Sequence, residues 1–212
     1  FTLGVHGEGF SYIFSYAQGG LESIVKDGYE WLFRCPKPTF WRALTDNDRG
    51  SKFHIKSGNW LAADMFIDCQ DITVITDGTV QEYKAPENNS YGGDVSANEI
   101  TVKYLYKTIS VPSTTVIVSY TVNPSGKIKV DVHYDGKKDL PELPVFGMRF
   151  ILPTVAEKYI YKGLSGETYP DRKAGAQQGV FEVTDLSLTP YIVPQECGMR
   201  MDTEWLEVTR RT

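Results

Sequence analysis

Apolar residues recur at every second position in segment after segment, a spacing that fits a pleated strand with one buried face and does not fit a helix. "FSYIFSY" puts Phe10, Tyr12, Phe14 and Tyr16 on one side, and "EITVKYLY" does the same with Ile100, Val102, Tyr104 and Tyr106. In "TTVIVSYTVNPSGKIKVDVHYDG" the set Val116, Val118, Tyr120 and Val122 leads into a turn at residues 123–126. Ile128, Val130, Val132 and Tyr134 lead out of it, which predicts a β-hairpin with one buried face. "GMRFIL", "FEVTDLSL" and "MRMDTEWLEV" add strands, separated by breakers such as "QGG", "KDG", "TDG", "PENNSYGG" and "DGKKDLPELP". Strands this numerous, with short connections, predict an all-β fold, a large antiparallel β-sandwich. One short helix is expected in "NWLAADMFID", residues 59–68, with Trp60, Ala63, Met65 and Phe66 on a stripe. Residues 135–144 are read as a loop inside a single domain spanning 1–212.

Composition narrows the function classes. The 41% hydrophobic and 13% aromatic shares supply a sizeable core. A formal net charge of -5, without a Lys/Arg stripe, disfavours nucleic acid as a partner. No apolar run reaches the roughly 18 residues of a membrane span, and no secretory leader pattern is present. Cys35, Cys69 and Cys197 stand far apart without C-x-x-C spacing, so reduced thiols in a cytoplasmic protein are expected. The chain stops directly after a strand-like stretch and is read as cut at its C-terminus. Its first residue, Phe1, raises the same reading for the N-terminus.

Two polar constellations stand out. "FWRALTDNDRG", residues 40–50, fails as a calcium loop, because counting from Asp46 puts Ser57 where an EF-hand needs Glu. Asp46 and Asp48 share one short segment, whereas glycoside hydrolysis needs carboxyls facing each other across the sugar. The residues read instead as a self-satisfied loop in which Arg42 and Arg49 neutralise the two aspartates, with a surface suited to gripping a neighbouring domain. "GLSGETYPDRKAG" gathers Glu167, Tyr169, Asp171 and Arg172. It lacks the Lys-Ser/Thr ending of a phosphate loop and reads as a turn with an internal Asp–Arg pair. His6, His54 and His133 have no nucleophile or carboxylate at a telling spacing and are expected to be structural or solvated.

The run with Phe40, Arg42, Ala43, Asp46, Asn47, Asp48 and Gly50 resembles the F-x-R-A-x-x-D-N-D-x-G hallmark of the small-chain, or C-terminal, domain of family 2 β-galactosidases. Glu167, Tyr169, Pro170, Asp171 and Arg172 are similar to that family's second segment, and Tyr191, Pro194, Glu196 and Gly198 to its third. The second segment departs from the pattern around Leu164 and Ser165, in a form that resembles the branch of lactic-acid bacteria and related Gram-positives. The resemblance implies a supersandwich fold similar to galactose mutarotase. It also implies a non-catalytic part of an enzyme that removes terminal β-D-galactose from lactose-type sugars. In the family both catalytic glutamates lie on a TIM-barrel domain or large subunit, which the resemblance makes this chain's partner, and the whole enzyme is an oligomer. No catalytic residue, metal ligand or cofactor is then expected here, while the catalytic domain of the family uses Mg and Na. Arg42, Asp46, Asn47, Asp48, Glu167, Tyr169, Asp171 and Arg172 become the expected substrate-rim or interface residues. An independent aldose mutarotase, which would need a His acid and a Glu base, and a carbohydrate-binding module using exposed aromatics are the alternatives.

Overall fold

The computed structural model describes residues 2–82, 95–167, 173–186 and 192–210. Its strands are β1 (Thr2–Gly7), β2 (Phe10–Ser15), β3 (Gly20–Lys26), β4 (Tyr29–Glu30), β5 (Lys37–Thr39), β6 (Asp68–Thr76) and β7 (Thr79–Gln81). They continue with β8 (Ile100–Lys107), β9 (Thr115–Val122), β10 (Ile128–His133), β11 (Gly147–Arg149), β12 (Ala156–Leu164), β13 (Gln178–Val183) and β14 (Trp205–Arg210). Two short helices, α1 (Asp46–Gly50) and α2 (Phe53–Lys56), and a 3-10 turn at Gly58–Trp60 complete the described elements. All described pairings are antiparallel, so the all-β expectation holds. The chain divides into two compact units, residues 1–41 with 59–153 and residues 42–58 with 154–212. Residues 135–144 lie inside the first.

The first unit contains a four-stranded sheet, β1-β2-β3-β4, a five-stranded sheet, β10-β9-β8-β6-β7, and the pair β11-β5. Alternation sets which faces meet. Phe10, Tyr12 and Phe14 are buried on β2; Val102, Tyr104 and Tyr106 on β8; Val116, Val118, Tyr120 and Val122 on β9. The predicted hairpin forms with Val122 opposite Ile128 and Val118 opposite Val132. Its turn is held by the Asn123 side chain, which accepts from the Ser125 and Lys127 N–H groups at 3.1 and 3.0 Å. Phe14 of one sheet meets Tyr120 of the other at 5.9 Å between ring centroids, which makes the pair of sheets a sandwich around one core.

Burying tyrosines obliges their hydroxyls to find acceptors. Tyr106 donates to the Gly19 carbonyl at 2.6 Å and Tyr104 to the Gly20 carbonyl at 3.2 Å, both at the β2–β3 turn. In the opposite direction, Tyr12 of β2 donates to the Gly126 carbonyl at 2.5 Å, in the β9–β10 turn. Burial pushes the Tyr104, Tyr106 and Tyr120 phenols far above their ordinary value, so all three stay neutral; the Tyr120 hydroxyl is the exception to the rule, buried without a hydrogen-bond partner. Gly19 itself has φ +59, and a Cβ there would lie 2.4 Å from the Cys69 Cβ.

The helix expected at 59–68 does not form. A single 3-10 turn, Gly58–Trp60, is followed by hydrogen-bonded turns, because Ala62 takes a left-handed φ of 61 and breaks the helical run. Trp60 and Ala63 are buried, whereas Met65 and Phe66 are 75% and 61% exposed, so the expected stripe is split.

The second unit is built on the sheet β13-β12-β14. Tyr161, opposite Phe181 and Leu206, is buried on one face, where the Phe181 ring lies at 5.6 Å and the Arg200 guanidinium at 5.8 Å from its centroid. Lys158–Glu182 and Lys162–Glu204 ion pairs, each 2.7 Å, cross between its strands and their flanks. Among the described residues no helix is long and apolar enough to cross a membrane.

Candidate functional site

The run from Phe40 to Gly50 changes character after its second residue. Phe40 is fully buried in the first unit, its ring stacked on Trp60 at 5.4 Å. From Arg42 onward the residues belong to the second unit, and Asp46–Gly50 fold as helix α1, where the sequence reading expected a loop. The reason is a capping box. Thr45 is extended, with φ -84 and ψ 169; its hydroxyl accepts from the Asp48 N–H at 3.1 Å, and the Asp48 carboxylate accepts from the Thr45 N–H at 2.8 Å. Asp46 and Asp48 fall in the first turn and Arg49 in the last, where each charge suits the aligned peptide dipoles. Thr45 was not singled out from sequence, although T-x-x-D is the readable signature of this cap.

Arg42 and Asp48 form the pair expected of them. The guanidinium donates to the two carboxylate oxygens at 2.5 and 3.1 Å, and the side chains are 14% and 12% exposed. Asp46 and Arg49 pair at 3.2 Å but stay 44% and 39% exposed, so theirs is the weaker link. Burial alone would raise the Asp48 carboxyl; hydrogen bonds from Arg42 and Thr45 together with the Arg42 charge outweigh it and hold the group below the ordinary carboxylate range. A group lowered in this way contributes its full stability at neutral pH and loses it as pH falls through the lowered value. Asp48→Asn is therefore expected to lose about 1.5–3 kcal/mol at pH 7. The gap from the unsubstituted chain should close under acid conditions, as read by denaturant unfolding at a series of pH values.

A distant segment clips onto the same turn. The Glu196 N–H donates to the Leu44 carbonyl at 3.0 Å, the Asp46 N–H donates to Gln195 Oε1 at 3.2 Å, and Arg49 donates to the Pro194 carbonyl. Two of the three recognisable sequence segments thus converge, with Pro194 and Glu196 coming from the third. Asn47 is exposed on α1, and its carbonyl accepts from the Ser51 N–H at 2.9 Å. Nothing local in the sequence points to Gln195, which lies 149 positions from its partner.

Of the second constellation, Glu167 is described, with Oε2 buried and unbonded, as are Nε and NH1 of Arg200 in the same unit. Tyr169, Asp171 and Arg172, and the Asp–Arg pair expected there, lie outside the described residues, as does Tyr191. The base of that β12–β13 connection is closed by the Ser165 N–H donating to the Gln177 carbonyl at 2.9 Å.

His6 on β1 and His133 on β10 are exposed and belong to different sheets. His133 does have a carboxylate partner, contrary to expectation, for its Nε2 lies 2.7 Å from Asp135 Oδ1 in a pair 65% and 85% exposed. That solvated contact was overlooked because Asp135 stands only two residues on, past the strand end. The three cysteines are free thiols. Among the described residues no three His, Cys, Asp or Glu side chains are grouped to hold a metal ion.

A family model described as "Beta galactosidase small chain" matches residues 6–212. The chain is 59% identical over 211 residues to the β-galactosidase small subunit of Latilactobacillus sakei, covering 99% of this chain and 66% of that one. It is 38% identical over 184 residues to a β-galactosidase of Clostridium acetobutylicum, 86% of this chain and 18% of the relative. Against a β-galactosidase of Streptococcus thermophilus the identity is 30% over 211 residues, 99% of this chain and 19% of the relative.

Proposed function

Because the chain belongs to the β-galactosidase small-chain family, we propose that it is a non-catalytic part of a family 2 β-galactosidase, completing an enzyme whose reacting carboxylates sit on a separate catalytic part. The observation that carries this reading is the state of Asp48. Its carboxylate is held by Arg42 and by the Thr45 N–H, which keep it below the ordinary carboxylate range. A proton donor near neutrality needs the opposite shift, and a nucleophile needs a free carboxylate oxygen, whereas both oxygens of Asp48 are engaged by Arg42. The hallmark run is consequently a fastener: it rigidifies the turn that carries Asp46, Asn47 and Arg49 and presents those exposed groups to the catalytic part or to the rim of its sugar pocket. Glu167, Tyr169, Asp171 and Arg172 are assigned to the same rim or interface.

In this proposal the substrate is a terminal β-D-galactoside of the lactose type, and the complete enzyme is an oligomer working in the cytoplasm. The Mg and Na of the family belong to the catalytic part, and the present chain supplies no cofactor site. Galactosidase assays on the chain alone, on the catalytic part alone and on their mixture test the division of labour. Turnover is expected only in the mixture, and turnover by the chain alone would refute it. Arg42→Ala leaves the half-buried Asp48 without its cation and is expected to weaken assembly roughly tenfold or more. Unchanged assembly and rate would show that the motif does not serve the complex.

A further inference from the structure

A cavity of about 250 Å³ in the first unit is lined by Arg34, Cys35, Lys37, Asp64, Met65 and Arg149, together with Gln18. Its charge runs against that of the chain. Three cations face one carboxylate, in a protein whose formal net charge is -5. The carboxylate, Asp64, is only loosely engaged, 3.8 Å from Arg149. Arg149 in turn donates to Thr39 Oγ1 at 3.1 Å and to the Trp41 carbonyl at 3.2 Å, which fixes its guanidinium at the wall.

Lys37 is the more telling group. Its ammonium donates to the Gln18 and Gly19 carbonyls at 2.9 and 3.1 Å and stands 5.1 Å from the centroid of the Tyr106 ring. Desolvation lowers its pKa, against smaller opposing contributions from Cys35, Cys69 and Asp68. Among the described residues no carboxylate pairs with Lys37 or with Arg34. A half-buried ammonium whose hydrogen bonds go to two carbonyls, beside an exposed guanidinium with no ion pair among the described residues, leaves the cavity with positive charge to be neutralised.

The rim indicates which anion. Met65, which lines the cavity, is 75% exposed; Leu61 and Phe66, outside the lining but in the same turn segment, are 58% and 61% exposed. A free inorganic anion would cover the cationic floor and leave these apolar groups in water, whereas a protein surface covers both. We propose that this cavity receives an Asp or Glu side chain, flanked by apolar residues, from the catalytic part of the β-galactosidase. The assignment of that partner rests on the accessory role proposed above.

Arg34 offers the cleanest test, since it makes no hydrogen bond among the described residues and its substitution leaves the core intact. Association of the chain with the catalytic part of a β-galactosidase of this family is measured by calorimetry at low and high salt, for the unsubstituted chain, Arg34→Glu, Arg34→Ala and Lys37→Met. Thermal melts confirm that each variant folds. The charge reversal is expected to weaken association by roughly tenfold or more at low salt, with a smaller effect for Arg34→Ala and a flatter salt dependence for both. Equal association by all four proteins would overturn the docking site and leave the accessory role standing. No association by the unsubstituted chain would overturn the accessory role and the docking site with it. Inorganic phosphate titrated into the chain alone is expected to bind no more tightly than millimolar. Micromolar binding lost in Lys37→Met, with assembly unaffected, would make the cavity a free-anion site and overturn the proposal.

Discussion

Trp60→Ala is expected to remove about 3–5 kcal/mol of folding stability. The indole is fully buried, stacked on Phe40 at 5.4 Å and set edge-on to Tyr134 at 6.2 Å. Its Nε1 donates to the Pro141 carbonyl at 2.9 Å, so truncation opens a cavity and removes a buried donor in one step. Trp60→Phe is an intermediate step, since it keeps one six-membered ring in the site while losing the N–H and the remainder of the indole. It is expected to lose about 1–3 kcal/mol. Far-UV circular dichroism in a guanidinium titration reads both losses without depending on the deleted fluorophore. A change for Trp60→Ala within the roughly 0.5 kcal/mol usual at surfaces would show that this residue does not belong to the core.

Gly19→Ala is expected to destabilise by about 2–5 kcal/mol, from left-handed backbone strain and overpacking acting together. The φ of +59 disfavours any side chain, and the new methyl would stand 2.4 Å from the Cys69 Cβ and 2.8 Å from its sulfur. The Gly19 carbonyl also accepts from Tyr106 and Lys37, so the turn cannot shift to make room without loosening both bonds. Cys69→Gly in the same background removes the opposing Cβ and should recover the packing part of the loss, while Cys69→Ala, which keeps that atom, should recover little. Equal recovery by the two would mean that the clash lies elsewhere. Urea unfolding of the three variants decides this.

The strands were legible for a physical reason. On β8 and β9 one side chain in two is apolar and large, and a register slip by one residue would turn Tyr104 or Val118 to solvent, so pattern and pairing specify each other. The helix at 46–50 was missed because its signal is a cap and not a period. Five residues cannot show a repeat, and the Thr45–Asp48 exchange had to be read from side-chain chemistry. Residues 59–68 failed in the other direction. Trp60 and Ala63 mimic a helical stripe, but the left-handed Ala62 is a tertiary outcome that no propensity announces. For the site, the Arg42–Asp48 pair was legible from complementary charges six positions apart. The clasp from residues 194–196 was not, since one backbone carbonyl looks like another until the fold brings it near.

The reciprocal tyrosine bonds of the first unit bear on more than hydroxyl satisfaction. Apolar layers held by water exclusion alone have no preferred offset along the strands and can creep past one another. Here Tyr104 and Tyr106 reach one way and Tyr12 the other, each ending on a backbone oxygen at a turn of the opposite sheet. They act as dowels driven from both boards of a joint: shear in either direction stretches at least one of them, so the two layers are locked in translation as well as pressed together.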